Sequence, residues 1–151
     1  MKVSKAVYEA YGGDVVFHFG TGYFGVRAED GGFAMEKMVK LVEDNPFIRA
    51  IEVKLSQGAK PGKGGVLPAA KISKEISEDR GVPMGQDVLS PSFHRAFSNV
   101  PELMDLIERA AERTGLPIGI KSAIGKMEMW EELTDIMLAT GKGPDFIAID
   151  G

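Results

Sequence analysis

Residues 101–149 read PELMDLIERAAERTGLPIGIKSAIGKMEMWEELTDIMLATGKGPDFIAI. The first third places Leu103, Leu106, Ile107, Ala110 and Ala111 on one helical stripe, with Ser98 or Asn99 before it as a cap and Gly115 after it as a stop. A short apolar strand, Ile118-Gly119-Ile120-Lys121, follows. The spacing then predicts a second helix over 127–140, with Trp130, Leu133, Ile136 and Met137 at helical intervals and Gly141 at its end. Phe146-Ile147-Ala148-Ile149 is again a short apolar strand. Both strands have the composition of segments buried on two faces, as in a parallel sheet covered by helices. Trp130 and the methionines at 127, 129 and 137 read as core packing.

The same alternation extends toward the N-terminus. Val15–Phe19 and Ala50–Leu55 are β-rich runs closed by glycine, Gln86–Leu89 is a weaker strand stopped by Pro91, and 36–45 and 72–80 form shorter helices. Strands alternating with helices at this interval specify a parallel α/β sheet. A closed (β/α)8 barrel needs eight strands and typically ~250 residues. Five candidate strands in 151 residues leave an open doubly wound sheet or part of a barrel.

Composition narrows the chemistry. Eighteen basic against 22 acidic side chains give a net charge of −4, which argues against a nucleic-acid or anionic-membrane partner. No cysteine is present, which removes disulfides, thiolate nucleophiles and cysteine-ligated zinc or iron–sulfur clusters from this chain. The two histidines show no metal-ligand spacing, so no metal is expected. No run approaches a membrane span, and the first residues lack the apolar core of a signal peptide; the chain reads as cytoplasmic.

Glycine is enriched, with 19 residues clustered beside the apolar runs. Gly20-Thr21-Gly22-Tyr23-Phe24-Gly25 has the spacing of a dinucleotide fingerprint. The Asp30-Gly31-Gly32 turn comes too soon for the helix that such a fingerprint must open, so a strand-end turn is expected instead. Gly58-Ala59-Lys60-Pro61-Gly62-Lys63-Gly64-Gly65 is one residue short of a P-loop and lacks its Ser or Thr. It reads equally as an anion cradle and as a solvated basic loop. Lys121 ends a central strand, at the edge that faces the ligand crevice in parallel α/β folds. A lysine there either pairs with the electron-rich N1/O2 edge of a flavin or simply reaches water. His94, in a loop after the weak strand, is expected at the surface.

Taken together, four stretches resemble the FMN-binding barrel domain of the glutamate synthases, and its stand-alone glutamate-synthase-like form in particular. They are 12–25 (GGDVVFHFGTGYFG), 51–68 (IEVKLSQGAKPGKGGVLP), 80–94 (RGVPMGQDVLSPSFH) and 144–151 (PDFIAIDG). The resemblance implies an α/β fold that is a partial (β/α)8 TIM barrel, about half to five-eighths of the eight strands, formed by residues 1–151 as one unit. It implies non-covalent FMN and the reductive amination of 2-oxoglutarate to L-glutamate. By position it puts Lys60, Arg80 and Gln57 on the dicarboxylate, and Lys121, Gly20, Thr21 and Gly22 on the flavin. A lysine and an arginine are also what gripping a dicarboxylate requires. Val66 stands where the large enzymes carry a substrate-binding glutamine. The family continues with further strands on both sides, including those that hold the FMN phosphate. The isolated chain is therefore expected to bind FMN weakly or not at all and to associate with itself or with complementary barrel segments. The alternative to a working oxidoreductase segment is a catalytically incompetent half-barrel.

Overall fold

The computed structural model describes residues 2–56 and 64–151. Four parallel strands form its centre: β1 (Val15–Phe19), β2 (Ile48–Lys54), β5 (Ile118–Ser122) and β6 (Ile147–Ile149), in the order β1-β2-β5-β6. Order along the sheet follows order along the chain without reversal. A doubly wound sheet reverses at its switch point, whereas a barrel wall advances in one direction. The molecule is thus α/β with an open parallel sheet, the arrangement of part of a barrel.

Helices cover one face. The crossovers carry α2 (Met35–Glu43), α4 (Val100–Thr114) and α5 (Glu128–Thr140), with α4 packed between the other two. Asn99 caps α4 by accepting the Glu102 N–H (2.8 Å), and Gly115 ends it in the left-handed conformation, φ +67°. Phe17, Phe19, Ile51, Val53, Ile118 and Ile120 point from the sheet onto Met38, Leu103, Ile107 and Leu133. Fully burying each such side chain contributes about 1.5–3 kcal/mol. Before β1, α1 (Lys2–Tyr11) stacks Tyr8 on Phe47 with ring centroids 4.5 Å apart. Among the described residues no helix is long and apolar enough to cross a membrane.

Three expectations are corrected. The weak strand at 86–89 does not join the parallel sheet. It forms β4 (Val88–Ser90), paired antiparallel with β3 (Gly65–Leu67) in a separate ribbon. The ribbon and α3 (Lys74–Arg80) enclose their own small cluster of Ile72, Val82 and Val88. Second, β6 is not buried on two faces, since Ile147 and Ile149 are 41% and 54% exposed. Third, Met127 lies outside the core because α5 begins one residue later and leaves it exposed, while Met129, Trp130 and Met137 do pack on the core.

Candidate functional site

The C-terminal ends of all four parallel strands share one edge. After β1 the chain makes a turn in which the Tyr23 N–H donates to Gly20 O (2.9 Å) and the Val26 N–H donates to Tyr23 O (2.9 Å). No helix follows, and Arg27 closes the turn by donating from Nη1 to Gly22 O (2.9 Å). A Cβ at position 22 would lie 2.7 Å from Ser90 Oγ and 3.0 Å from the Phe24 ring. The ribbon therefore closes directly onto this turn. Between them lies a cleft of about 240 Å³, bordered by Gly20, Thr21, Gly22, Phe24, Ser56 and Ser90.

Ser56 lies just past β2. Ser122 Oγ donates to Ala123 O (3.0 Å), so its contact with Ser56 Oγ (3.0 Å) is a bond donated by Ser56, which in turn accepts the Ala123 N–H (2.9 Å). This ties the β2 and β5 ends together. Beyond them a larger, more apolar hollow of about 680 Å³ runs past Ile124, Trp130 and Ile149, and Ser56 borders both spaces.

The uncovered face of the sheet is polar. Register places His18, Glu52 and Gly119 in one row, and Lys54, Lys121 and Ala148 in the next. His18 Nδ1 lies 3.0 Å from Glu52 Oε1, and Lys121 Nζ lies 2.8 Å from Asp150 Oδ2. The hydrogen bond to Asp150 holds the Lys121 ammonium above its ordinary pKa against a smaller desolvation effect, and the Asp150 and Glu52 charges add to it. Lys121 is 27% exposed in its side chain and protonated at neutral pH.

The structure thus brings Gly20, Thr21 and Gly22 to the cleft, and Lys121 to the open face at the same edge of the sheet. Arg80, the last residue of α3, stands with its guanidinium carbon 5.1 Å from the centroid of Phe24, whose ring borders the cleft. Gln57 and Lys60 lie outside the described residues, as does most of the glycine–lysine loop. Val66 is on β3 and exposed. Sequence reasoning missed Ser56, Ser122, Glu52 and Asp150. Alternation along β2 marks Glu52 as facing away from the core, whereas the other three gain their meaning only from strand register.

His94 is a correction. The expected surface histidine is 5% exposed, held between Tyr23 and the end of β2 and stacked on Phe97 at 4.6 Å. Its loop is drawn inward by partners far away in sequence.

The residues fit a flavin in chemistry. Lys121 offers a cation with two of its three N–H directions beyond Asp150, and the glycine turn permits close backbone approach. The cleft of about 240 Å³ and the larger hollow of about 680 Å³ meet at Ser56.

A family profile described as "Conserved region in glutamate synthase" matches residues 3–151. The chain is 41% identical over 140 residues to the glutamate synthase large subunit-like protein YerD of Bacillus subtilis, covering 93% of this chain and 26% of that protein. It is 40% identical over 105 residues to the archaeal-type glutamate synthase (NADPH) of Thermotoga maritima, covering 68% of this chain and 20% of that protein. With the archaeal glutamate synthase (NADPH) of Methanocaldococcus jannaschii it shares 35% over 121 residues, 79% of this chain and 21% of that protein. The chain therefore spans about a quarter or less of the length of these curated relatives. On the matched profile and these identities, the chain belongs to the glutamate synthase family, of whose domain it forms a part.

Proposed function

We propose that this chain is the substrate- and flavin-facing wall of a glutamate-synthase-like oxidoreductase, which uses FMN to convert 2-oxoglutarate and ammonia into L-glutamate. The carrying observation is the clustering of the Gly20–Gly22 turn, Ser56 and Lys121 at the C-terminal ends of successive parallel strands, the edge at which barrel enzymes hold their ligands. Family membership and the names of the relatives support the oxidoreductase class.

In this reading Arg80, with Lys60 and Gln57, grips the two carboxylates of 2-oxoglutarate. Lys121 would hold the flavin and favour its reduced anion with the ammonium charge, and the backbone of Gly20, Thr21 and Gly22 would join it in binding the group. Ammonia displaces water from the keto carbon to give 2-iminoglutarate. FMN, when bound and reduced, supplies the hydride that completes L-glutamate, with protons balancing the charge. Asp150 fixes the lysine's direction, and Ser56 holds the wall between the cleft and the larger hollow.

A second reading, a half-barrel that is inactive until complementary segments join it, is supported by the outer edges of β1 and β6, which pair with nothing among the described residues. Both readings meet one experiment. The chain, alone and co-expressed with the remaining strands of a relative's domain, is titrated with FMN and then with 2-oxoglutarate. Flavin uptake by the combined protein, followed by a dicarboxylate-dependent change in the flavin absorption band, is expected. No uptake in either preparation rejects the oxidoreductase reading, and tight uptake by the chain alone rejects the half-barrel.

A further inference from the structure

We propose that Tyr23 and His94 form a buried positioning pair that fixes the Gly20–Gly22 turn and the end of β2 at the mouth of the cleft, with the His94 imidazole locked in its Nε2–H form. The positioning role rests on the functional reading above; the network itself does not.

Hydrogen-bond inventory determines every proton in it. Tyr23 is fully buried, and its phenol oxygen accepts the backbone N–H groups of Arg95 (2.9 Å) and Ala96 (3.0 Å). A phenol has two acceptor positions and one proton, so both acceptors are used and the O–H donates to His94 Nδ1, 3.1 Å away. On the other side, His94 Nε2 lies 2.8 Å from Lys54 O, which can only accept. The ring is therefore neutral with its proton on Nε2. A second proton at Nδ1 would point at an oxygen with no lone pair left.

The pair joins three segments that border the cleft. Tyr23 follows Gly22, Lys54 ends β2 and leads into Ser56, and His94 follows Ser90 to Ser92. Tyr23 is the only non-glycine residue with positive φ (+51°) among the described residues. Such a conformation persists only where its surroundings over-determine it, and the phenol's three hydrogen bonds do that here. Phe97 stacked on the imidazole and Phe19 at its edge (6.4 Å) exclude water from the network. No other described element bridges the turn, the β2 end and the 90–97 segment in this way.

The test uses the full chain, with Tyr23→Phe and His94→Gln as variants. Nitrogen-15 spectra of the wild-type His94 ring, assigned by the signals lost in His94→Gln, are expected to show one Nε2–H tautomer from pH 5.5 to 8, with a slowly exchanging ring proton. An Nδ1–H tautomer, or ordinary titration in that range, overturns the network. In both variants the Tyr23 and Leu55 amides are expected to exchange about tenfold faster, with Ile120 unchanged. Unchanged exchange at Tyr23 and Leu55 overturns the positioning role, as does FMN or 2-oxoglutarate affinity, measured with the remaining strands co-expressed, that neither variant lowers. A wild-type chain that binds neither ligand even with those strands counts against the functional reading, while the tautomer and the exchange rates still decide this one. The tautomer signature separates positioning from bulk packing, because a space-filling ring would have no reason to hold one proton on one nitrogen.

Discussion

Lys121 Nζ sits 2.8 Å from Asp150 Oδ2, joining the ends of β5 and β6 across the uncovered face of the sheet. Glu52 lies close enough to favour the ammonium further, and His18 Nδ1 contacts Glu52 Oε1 in turn. Because its pKa is raised in the folded chain, Lys121 contributes stability that is complete below its unfolded pKa near 10.5 and is lost as pH rises through the folded value.

Lys121→Met should weaken flavin binding or lower the flavin's reduction potential in the assembled protein, since a positive charge favours the reduced anion. Asp150→Asn leaves the ammonium in place and removes the carboxylate that offsets it, so by the same argument it is expected to raise the potential. Spectroelectrochemical titration measures both. A potential and an affinity that stay at wild-type values in Lys121→Met remove this residue from the flavin's surroundings.

Arg80→Ala and Lys60→Ala should each weaken 2-oxoglutarate binding, because each loses a charge-assisted hydrogen bond of ~1.5–3 kcal/mol. Arg80→Lys should restore little, since it loses the forked guanidinium and its planar contact with Phe24. Isothermal titration of the assembled protein reads the effect. Equal affinities in all three variants would show that the dicarboxylate binds elsewhere.

Burial holds the His94 imidazole below its usual pKa, and its bond to Lys54 O only partly offsets this. The sign of the resulting pH dependence is fixed. The unfolded chain takes up the proton first, so the stability contributed by the neutral ring is complete above pH ~6.5 and falls as pH drops toward the folded value. Urea midpoints measured between pH 7.5 and 5 should decline in the wild type and decline less in His94→Gln. Parallel curves would contradict a buried neutral histidine.

Two glycines separate site geometry from stability. A Cβ at Gly22 meets a rotatable hydroxyl, Ser90 Oγ, so Gly22→Ala should narrow the cleft with little loss of melting temperature. A Cβ at Gly119 meets the Phe146 ring, which lies directly against the strand. Gly119→Ala should cost about 1–3 kcal/mol by overpacking. At roughly 2–4 °C per kcal/mol for a chain of this size, calorimetry resolves that. A larger melting shift at Gly22 than at Gly119 would reverse this assignment.

What the sequence made legible follows from range. The α4 boundaries were readable because Asn99 and Gly115 act within their own turn. Lys121 at a strand mouth was readable because four apolar-run residues precede it. The pairing of β3 with β4 was not, since three-residue strands carry no period and their partners stand 21 to 25 positions apart, as with Gly65 and Ser90. His94 was misjudged for the same reason: its burial depends on Tyr23, 71 residues earlier. Asp150 acquires its role only when β6 is laid beside β5.

The last expectation concerns association. Among the described residues nothing pairs with the outer edges of β1 or β6, and each presents a row of backbone donors and acceptors. Apolar side chains on those strands, Val16 at 52% and Ile149 at 54% exposure, add a surface that favours burial. We propose that the isolated chain escapes this by pairing edges or exchanging elements between copies, and that it holds FMN weakly in that state. Sedimentation velocity at micromolar concentration should show dimers or larger species. Ile149→Lys, which puts a charge on the β6 edge, should shift the distribution toward monomer without lowering helix content, because that side chain is more than half exposed, at 54%. If association runs through the edges, a concentration series should move the wild type and the variant apart as protein is added. A wild-type monomer that binds FMN tightly would mean that the open sheet is sufficient by itself and that its edges recruit nothing.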